Sequence, residues 1–365
     1  MLYTLCSELH TETASIPFKI SDSFAEENQV VAVLTGGTEA QFVNLVKEKK
    51  IDLKRPIYLL VSGYSNSLAA AFEILSFIRL RNGIAKVMTH AKDTAFPEET
   101  ETDSLTRTPL EKVLKGDKKQ RLGVIGKPSD WLIASHVDAK QVLKEMNLEL
   151  VDIPIEEVSS LGEVDPGMKG AEAIYERVKE LIAKYKLDGV TMRCFDLLNT
   201  VKNTGCIALS KLNDEGIPAG CESDIPVLLT MMACKRLTGE TGFMVNPARV
   251  QQDGQLLLAH CTIPLHMTEK HEYTTHFESG IGVAIHGELA PGDYTLVKLS
   301  GDLKRLLAVN VTLTRCQYEQ NLCRTQVWIQ STPIVSQYFM TSPIANHHLL
   351  IKGHHAAKFW REEGK

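Results

Sequence analysis

The feature that most constrains this chain is a change of rhythm at Gly242. Before it, short apolar runs alternate with segments of helical period. After it, apolar runs succeed one another with only turns between them, such as Ala290-Pro291-Gly292-Asp293. The first pattern predicts strands joined by crossover helices, hence parallel sheets. The second predicts a small barrel or sandwich. Strands are expected at residues 30–34, 56–62 and 85–89, with a helix over 68–81 that Tyr64-Ser65-Asn66-Ser67 can cap. A second series places strands at 121–125, 148–153 and 189–194, helices over 137–146 and 171–185, and an apolar run at 217–221 leading to a helix at 228–237. The polar stretch 92–119 between the two series is the best domain boundary. Strands are then expected at 255–261, 281–285, 294–299, 306–313 and 325–329. The reading is two Rossmann-like α/β domains, residues 1–116 and 117–242, followed by a mostly β C-terminal domain, residues 243–365.

At 365 residues the chain is too long for one ordinary core. Its net charge of −5 argues against a nucleic-acid partner, which needs a basic field to neutralise phosphates. Eight cysteines without a Cys-x-x-Cys pair read as reduced thiols rather than a disulfide framework. The start, Met1-Leu2-Tyr3-Thr4-Leu5-Cys6, has no basic n-region and does not read as a signal peptide. No apolar stretch is long enough to span a bilayer, so no membrane partner is expected and the expected location is the cytoplasm.

Several residues are candidates for chemistry. Gly36-Gly37 follows a strand, but the spacing is not Gly-x-Gly-x-x-Gly, so a tight turn is favoured over a nucleotide site. Asn66 lies at a helix start, where capping and ligand contact are both open. Glu222 and Asp224 close an apolar run just before a helix. Residues two apart on a strand share a face, and two such carboxylates need a partner, a metal or solvent. The alternative is that Asp224 caps the helix while Glu222 pairs with a cation. His260 interrupts an apolar strand, and Asn346-His347-His348 stands near the chain's end. Several imidazoles with a buried carboxylate suit a first-row divalent ion. His266, His271, His276 and His286 have no such spacing and read as surface or loop residues.

Taken together, these segments resemble the L-fucose isomerase family and its smaller relatives. The resemblance covers most of the chain. It is most specific over residues 204–264, with Leu212-Asn-Asp-Glu-Gly-Ile-Pro-Ala-Gly-Cys-Glu222 and Phe243-Met-Val-Asn246, and over residues 343–353, with Ala345-Asn-His347. Thr35-Gly-Gly-Thr-Glu39, Asn66-Ser-Leu-Ala-Ala70 and Ile125-Gly-Lys-Pro-Ser-Asp-Trp131 are similar to the smaller relatives. The resemblance implies a fucose isomerase-like fold with Glu222 as metal ligand and catalytic carboxylate and His347 as a further ligand. Asn246 stands where the family carries its second acidic ligand, an Asp, and is expected to serve as ligand and catalytic residue in its place. His260 matches a histidine of the related arabinose isomerases, and Asn346 is implied to contact sugar hydroxyls. Asp224 and Asn66 complete the expected substrate contacts.

The implied activity is a metal-dependent aldose–ketose isomerisation of a deoxy sugar, a pentose or a substituted hexose. It runs through an ene-diol, with Mn²⁺, Mg²⁺ or another divalent ion polarising the sugar oxygens. The resemblance further implies a homo-oligomer, a trimer or hexamer. Asn246 brings no charge and relays no proton, which keeps open a non-catalytic sugar-binding paralogue. A lyase or epimerase on the same scaffold is also open.

Overall fold

The computed structural model describes residues 2–6, 28–89 and 102–360. Residues 92–101 of the expected domain boundary lie outside them. Strands β1 (Leu2–Leu5), β2 (Gln29–Val33), β3 (Ile57–Val61) and β4 (Ala85–Met88) pair in parallel, in chain order. β2 and β3 are buried throughout and read as unbroken apolar runs, because a parallel sheet is covered on both faces. The short strand β5 (Thr106–Arg107) pairs with a later antiparallel strand. Strands β6 (Gln120–Ile125), β7 (Leu148–Ile153), β8 (Gly189–Met192) and β9 (Ala219–Cys221) form a second parallel sheet in the order β7-β6-β8-β9.

The remaining strands are antiparallel. They are β10 (Phe243–Val250), β11 (Gln255–His260), β12 (Thr268–Thr274), β13 (Ala284–Leu289), β14 (Gly292–Leu299), β15 (Leu306–Gln317), β16 (Thr325–Gln330) and β17 (His348–Lys352). Six of them run β14-β17-β10-β11-β16-β15, and β14 also pairs with β15, which closes a six-stranded barrel. β12 and β13 form a separate hairpin. The chain is thus a mixed α/β structure with two parallel sheets and a C-terminal barrel. Strands β1, β5, β10, β12 and β17 escaped the sequence reading, and the run expected at 281–285 begins instead at Ala284. β12 is largely exposed and polar, so it carries no apolar signal.

Barrel strands β10, β11 and β17 are covered on both faces over most of their length, whereas the second half of β15 alternates buried and exposed residues. Period-two alternation sends Phe243, Val245, Leu296 and Leu350 into one core, with residues of the first sheet such as Leu59. Met244, Val297 and Leu349 join the second core, with Val190 and Ala219 of the second sheet. The helix Ser67–Arg79 is apolar nearly all round because it packs against β3, β4 and β10 at once.

One buried carboxylate ties these layers together. Glu73, on that helix, accepts the backbone N–H of Ala134 at 2.9 Å, the Ser135 hydroxyl at 3.1 Å and the backbone N–H of Asn346 at 3.1 Å. Truncating it orphans buried donors in two other layers, each worth about 1–3 kcal/mol. Glu73→Ala should therefore lower stability by roughly 2–5 kcal/mol, read as an earlier urea unfolding midpoint. A midpoint equal to the parent's would show that the layers do not depend on this tie.

Candidate metal and substrate site

Parallel strands end at a common edge, and ligands of α/β sheets bind outside those carboxyl ends. Here both sheets bring that edge to one cleft of about 670 Å³. Gly36 and Gly37 follow β2, and Ser65 and Asn66 follow β3. Trp131, Phe195 and Glu222 come from the loops after β6, β8 and β9. The barrel supplies Asn246 from β10 and Asn346 from just before β17.

The turn after β9 shapes the centre. Glu222 and Ser223 both adopt left-handed backbone, with φ of 63° and 51°. Such residues cost of order 1–3 kcal/mol each and persist only where the surroundings hold them. The Ser223 N–H donates to Met192 O at 3.1 Å and its hydroxyl to Ile125 O at 2.9 Å, while the Ser129 hydroxyl donates to Glu222 O at 2.7 Å. Asp224 then caps the helix Ile225–Thr238, its Oδ1 accepting the Val227 N–H at 2.9 Å. The segment is therefore not the extended strand end whose alternation would place both carboxylates on one face.

The two carboxylates instead reach the two nitrogens of one imidazole. His347 Nδ1 lies 2.9 Å from Asp224 Oδ2, and Nε2 lies 3.4 Å from Glu222 Oε1. Burial works against a charge on His347, but Glu222 and then Asp224 outweigh it and raise its pKa to about 10. Burial would lift both carboxyls. For Glu222 the neighbouring His347 and His260, with the Trp131 indole N–H donating to Oε2 at 2.5 Å, hold the pKa below the usual range. For Asp224 the Lys298 ammonium, His347 and the Val227 N–H do the same. Lys298 is fully buried, with Nζ 3.9 Å from Asp224 Oδ2.

His260 stands at the end of β11, one residue on from Ala259, the register partner of Asn246 on β10. One donor atom from each of Glu222, His260 and His347 falls within 4.8 Å of the others, a spacing a single cation can bridge. The donor set fits a divalent ion at two of its members. His347 Nε2 is buried without a hydrogen-bond partner, while Nδ1 is turned to a carboxylate, the arrangement that orients imidazole ligands. With the ring's pKa raised to about 10, an ion would take Nε2 in place of its proton. Glu222 offers Oε1 beside it. His260 differs, because its Nδ1 accepts the Thr262 N–H at 3.2 Å, which leaves the ring proton of the neutral form on Nε2. It joins the set only when that proton moves to Nδ1 and the Thr262 contact is given up. Burial and His347 lower its pKa to about 3, so the ring is neutral, as a ligand must be.

Asn346 Nδ2 donates to Asn246 Oδ1 at 2.8 Å, and its own Oδ1 is buried without a partner. Asn66 lines the same cleft, so six of the seven expected site residues meet at the cluster or on the cleft wall. Asp224 is the exception. It is fully buried behind His347, away from the cleft, and is correctly read as the residue that orients the imidazole rather than a substrate contact.

Sequence reasoning missed four residues here. Trp131 and Phe195 stack edge-to-face at 5.1 Å, giving the cleft an aromatic wall. His276, read as a surface residue, packs against Phe195 at 5.4 Å, and burial lowers its pKa to about 4. Glu278, beside it, lines the cleft. Both sit in the β12–β13 hairpin loop, whose one sequence signal is the pair Gly280 and Gly282.

A closed barrel against two parallel sheets, with a carboxylate–imidazole cluster at their shared edge, defines an α/β protein with a candidate metal site. No protein-family model matches the chain. Over 126 residues it is 29% identical to a sulfoquinovose isomerase of Alkalicoccus urumqiensis. That similarity spans 34% of this chain and 28% of the relative's length.

Removing the charge of Asp224 strands Lys298 as an unpaired buried ammonium, which typically costs about 3–5 kcal/mol. Asp224→Asn should lower the thermal midpoint sharply, and adding Lys298→Met should recover part of the loss. Additive effects in this double-mutant cycle would show that the two groups do not interact.

Proposed function

We propose that this chain is a metal-dependent aldose–ketose isomerase acting on a sugar through an ene-diol. The observation that carries the reading is His347 Nε2, buried without a hydrogen-bond partner, its ring held by Asp224 from behind and set 3.4 Å from the Glu222 carboxylate. The similarity to a sulfoquinovose isomerase supports it and makes a substituted hexose such as sulfoquinovose the first substrate to try. A deoxy sugar or pentose follows.

Glu222, His347 and His260 hold the ion, with the Asn246 carbonyl as a further, uncharged oxygen ligand. Among available ions we favour Mn²⁺ or Mg²⁺, given the carboxylate and amide oxygens. When bound, the ion supplies Lewis-acid stabilisation of negative charge on the sugar oxygens. Glu222 takes the carbon-bound proton and returns it to the neighbouring carbon. Asn346 accepts a sugar hydroxyl through its unpartnered Oδ1, and Asn66 contributes from the opposite wall. Trp131 and Phe195 offer an apolar face to the C–H side of the sugar and exclude water.

Among the described residues, no helix is long and apolar enough to cross a membrane. All eight cysteines are free, in keeping with a reducing cytoplasm. We read the working form as a homo-oligomer, a trimer or hexamer, as the family resemblance implies.

Purification without chelators followed by elemental analysis should find about one divalent ion per chain. Incubation with a panel of aldoses, sulfoquinovose included, should yield ketose. Glu222→Gln should reduce turnover to background. A protein that binds no divalent ion and converts no sugar with added Mn²⁺ sinks the proposal. Separately, Asp224→Asn should weaken ion binding about 10–100-fold through the loss of the His347 anchor, measured by calorimetric titration.

A further inference from the structure

Shifting a hydrogen between C1 and C2 of an open-chain sugar takes two proton movements. One breaks C2–H and makes C1–H. The other breaks O2–H and makes O1–H. The electron pair of the broken C–H bond passes through the ene-diol double bond, so no oxidant is needed and no proton is gained or lost overall. On the isomerase reading, Glu222 serves the carbon-bound proton. The oxygen-bound proton calls for a second group that both gives and accepts near neutral pH. The Asn246 amide is no such group.

Apart from Glu222, the acids and bases among the described residues lining the cleft are Glu39, Lys202 and Glu278. Lys202 is exposed. Glu39 is buried at the start of the helix Glu39–Lys47, where burial pushes its pKa well above the usual range, and no side-chain partner aims its Oε2 into the cleft. Glu278 is placed differently. It stands on the loop of the β12–β13 hairpin, closed by the His276 N–H donating to Ile281 O at 3.2 Å and the Gly280 N–H donating to His276 O at 2.9 Å. Its Oε1 accepts the Asn66 amide at 2.5 Å, which aims the carboxyl from one wall of the cleft. Asn66 is itself held in left-handed backbone, φ 57°, at the start of the helix Ser67–Arg79. Burial, and then the Glu222 charge, raise the Glu278 pKa to about 7, so both protonation states are available at neutral pH.

We propose that Glu278 is the second acid–base group of this site, carrying the hydroxyl proton from O2 to O1 while Glu222 transfers the carbon-bound one. The assignment rests on the isomerase reading. Its test is Glu278→Gln, which keeps the size and a hydrogen-bonding group but removes the exchangeable acid. Turnover should fall about 10²–10⁴-fold, with divalent-ion content and the sugar-induced thermal shift unchanged. Glu278→Asp should recover part of the rate. Should Glu278→Gln lose the ion or melt early, Asn66→Ala gives a second measurement. It frees the carboxyl from its anchor, and kcat should fall about tenfold or more, whatever the lost wall contact does to KM. A wild-type rate in a folded, ion-loaded Glu278→Gln protein, or in Asn66→Ala, overturns the assignment and leaves the isomerase reading intact. A wild-type protein that converts no sugar overturns both.

Discussion

The structure depends on one buried imidazole set between two carboxylates and anchored at Nδ1. His347 has no exposure to solvent, and a buried ring of that polarity needs partners. Asp224 takes Nδ1 and Glu222 faces Nε2. To meet both, the end of β9, the start of the helix Ile225–Thr238 and the entry to β17 must occupy one small volume. Asp224 serves two ends at once. One oxygen caps the helix and the other holds the imidazole. Helix position and imidazole orientation are therefore set by the same side chain.

Backbone strain gathers around this grip. Ser65, Asn66, Glu222, Ser223 and Ala345 all have positive φ, and all flank the cleft or the segments that build it. Asn66 adopts this backbone readily, whereas Ser65, Glu222, Ser223 and Ala345 are held in it by their surroundings. The hydrogen bonds of Ser223 to β6 and β8 do this for the central turn, fastening it to the sheet edge. The barrel acts as the opposing plate. Strands β10 and β11 are largely buried on both faces, which fixes Asn246 on the one and His260 at the end of the other.

Much of the fold was legible in the residues. Unbroken apolar runs separated by helical segments announced parallel sheets, and the loss of helices after Gly242 announced the barrel. Strand β7 was read at its observed bounds because Asn147 and Pro154 bracket it. The polar strand β12 left no such trace. At the site, Glu222, Asn246, His260, His347 and Asn346 were found through their resemblance to a known pattern, and the structure brings them together. Asp224 was assigned to the wrong side because strand alternation assumes extended backbone, and two left-handed residues break it. His276 and Glu278 were missed because a hairpin loop has no periodicity to betray which of its side chains turn inward.

The sequence by itself determined the layer types and the kinds of donor available, since both follow from local period and residue chemistry. It also determined that position 246 brings an uncharged amide rather than a carboxylate. Only the tertiary structure decided which donors share a volume, which nitrogen of each histidine is free, and that Glu278 enters the cleft from a distant hairpin. Those outcomes depend on contacts between residues more than 50 and often more than 100 positions apart. Burial and charge there are properties of the assembled neighbours, and no local stretch of chain encodes them alone.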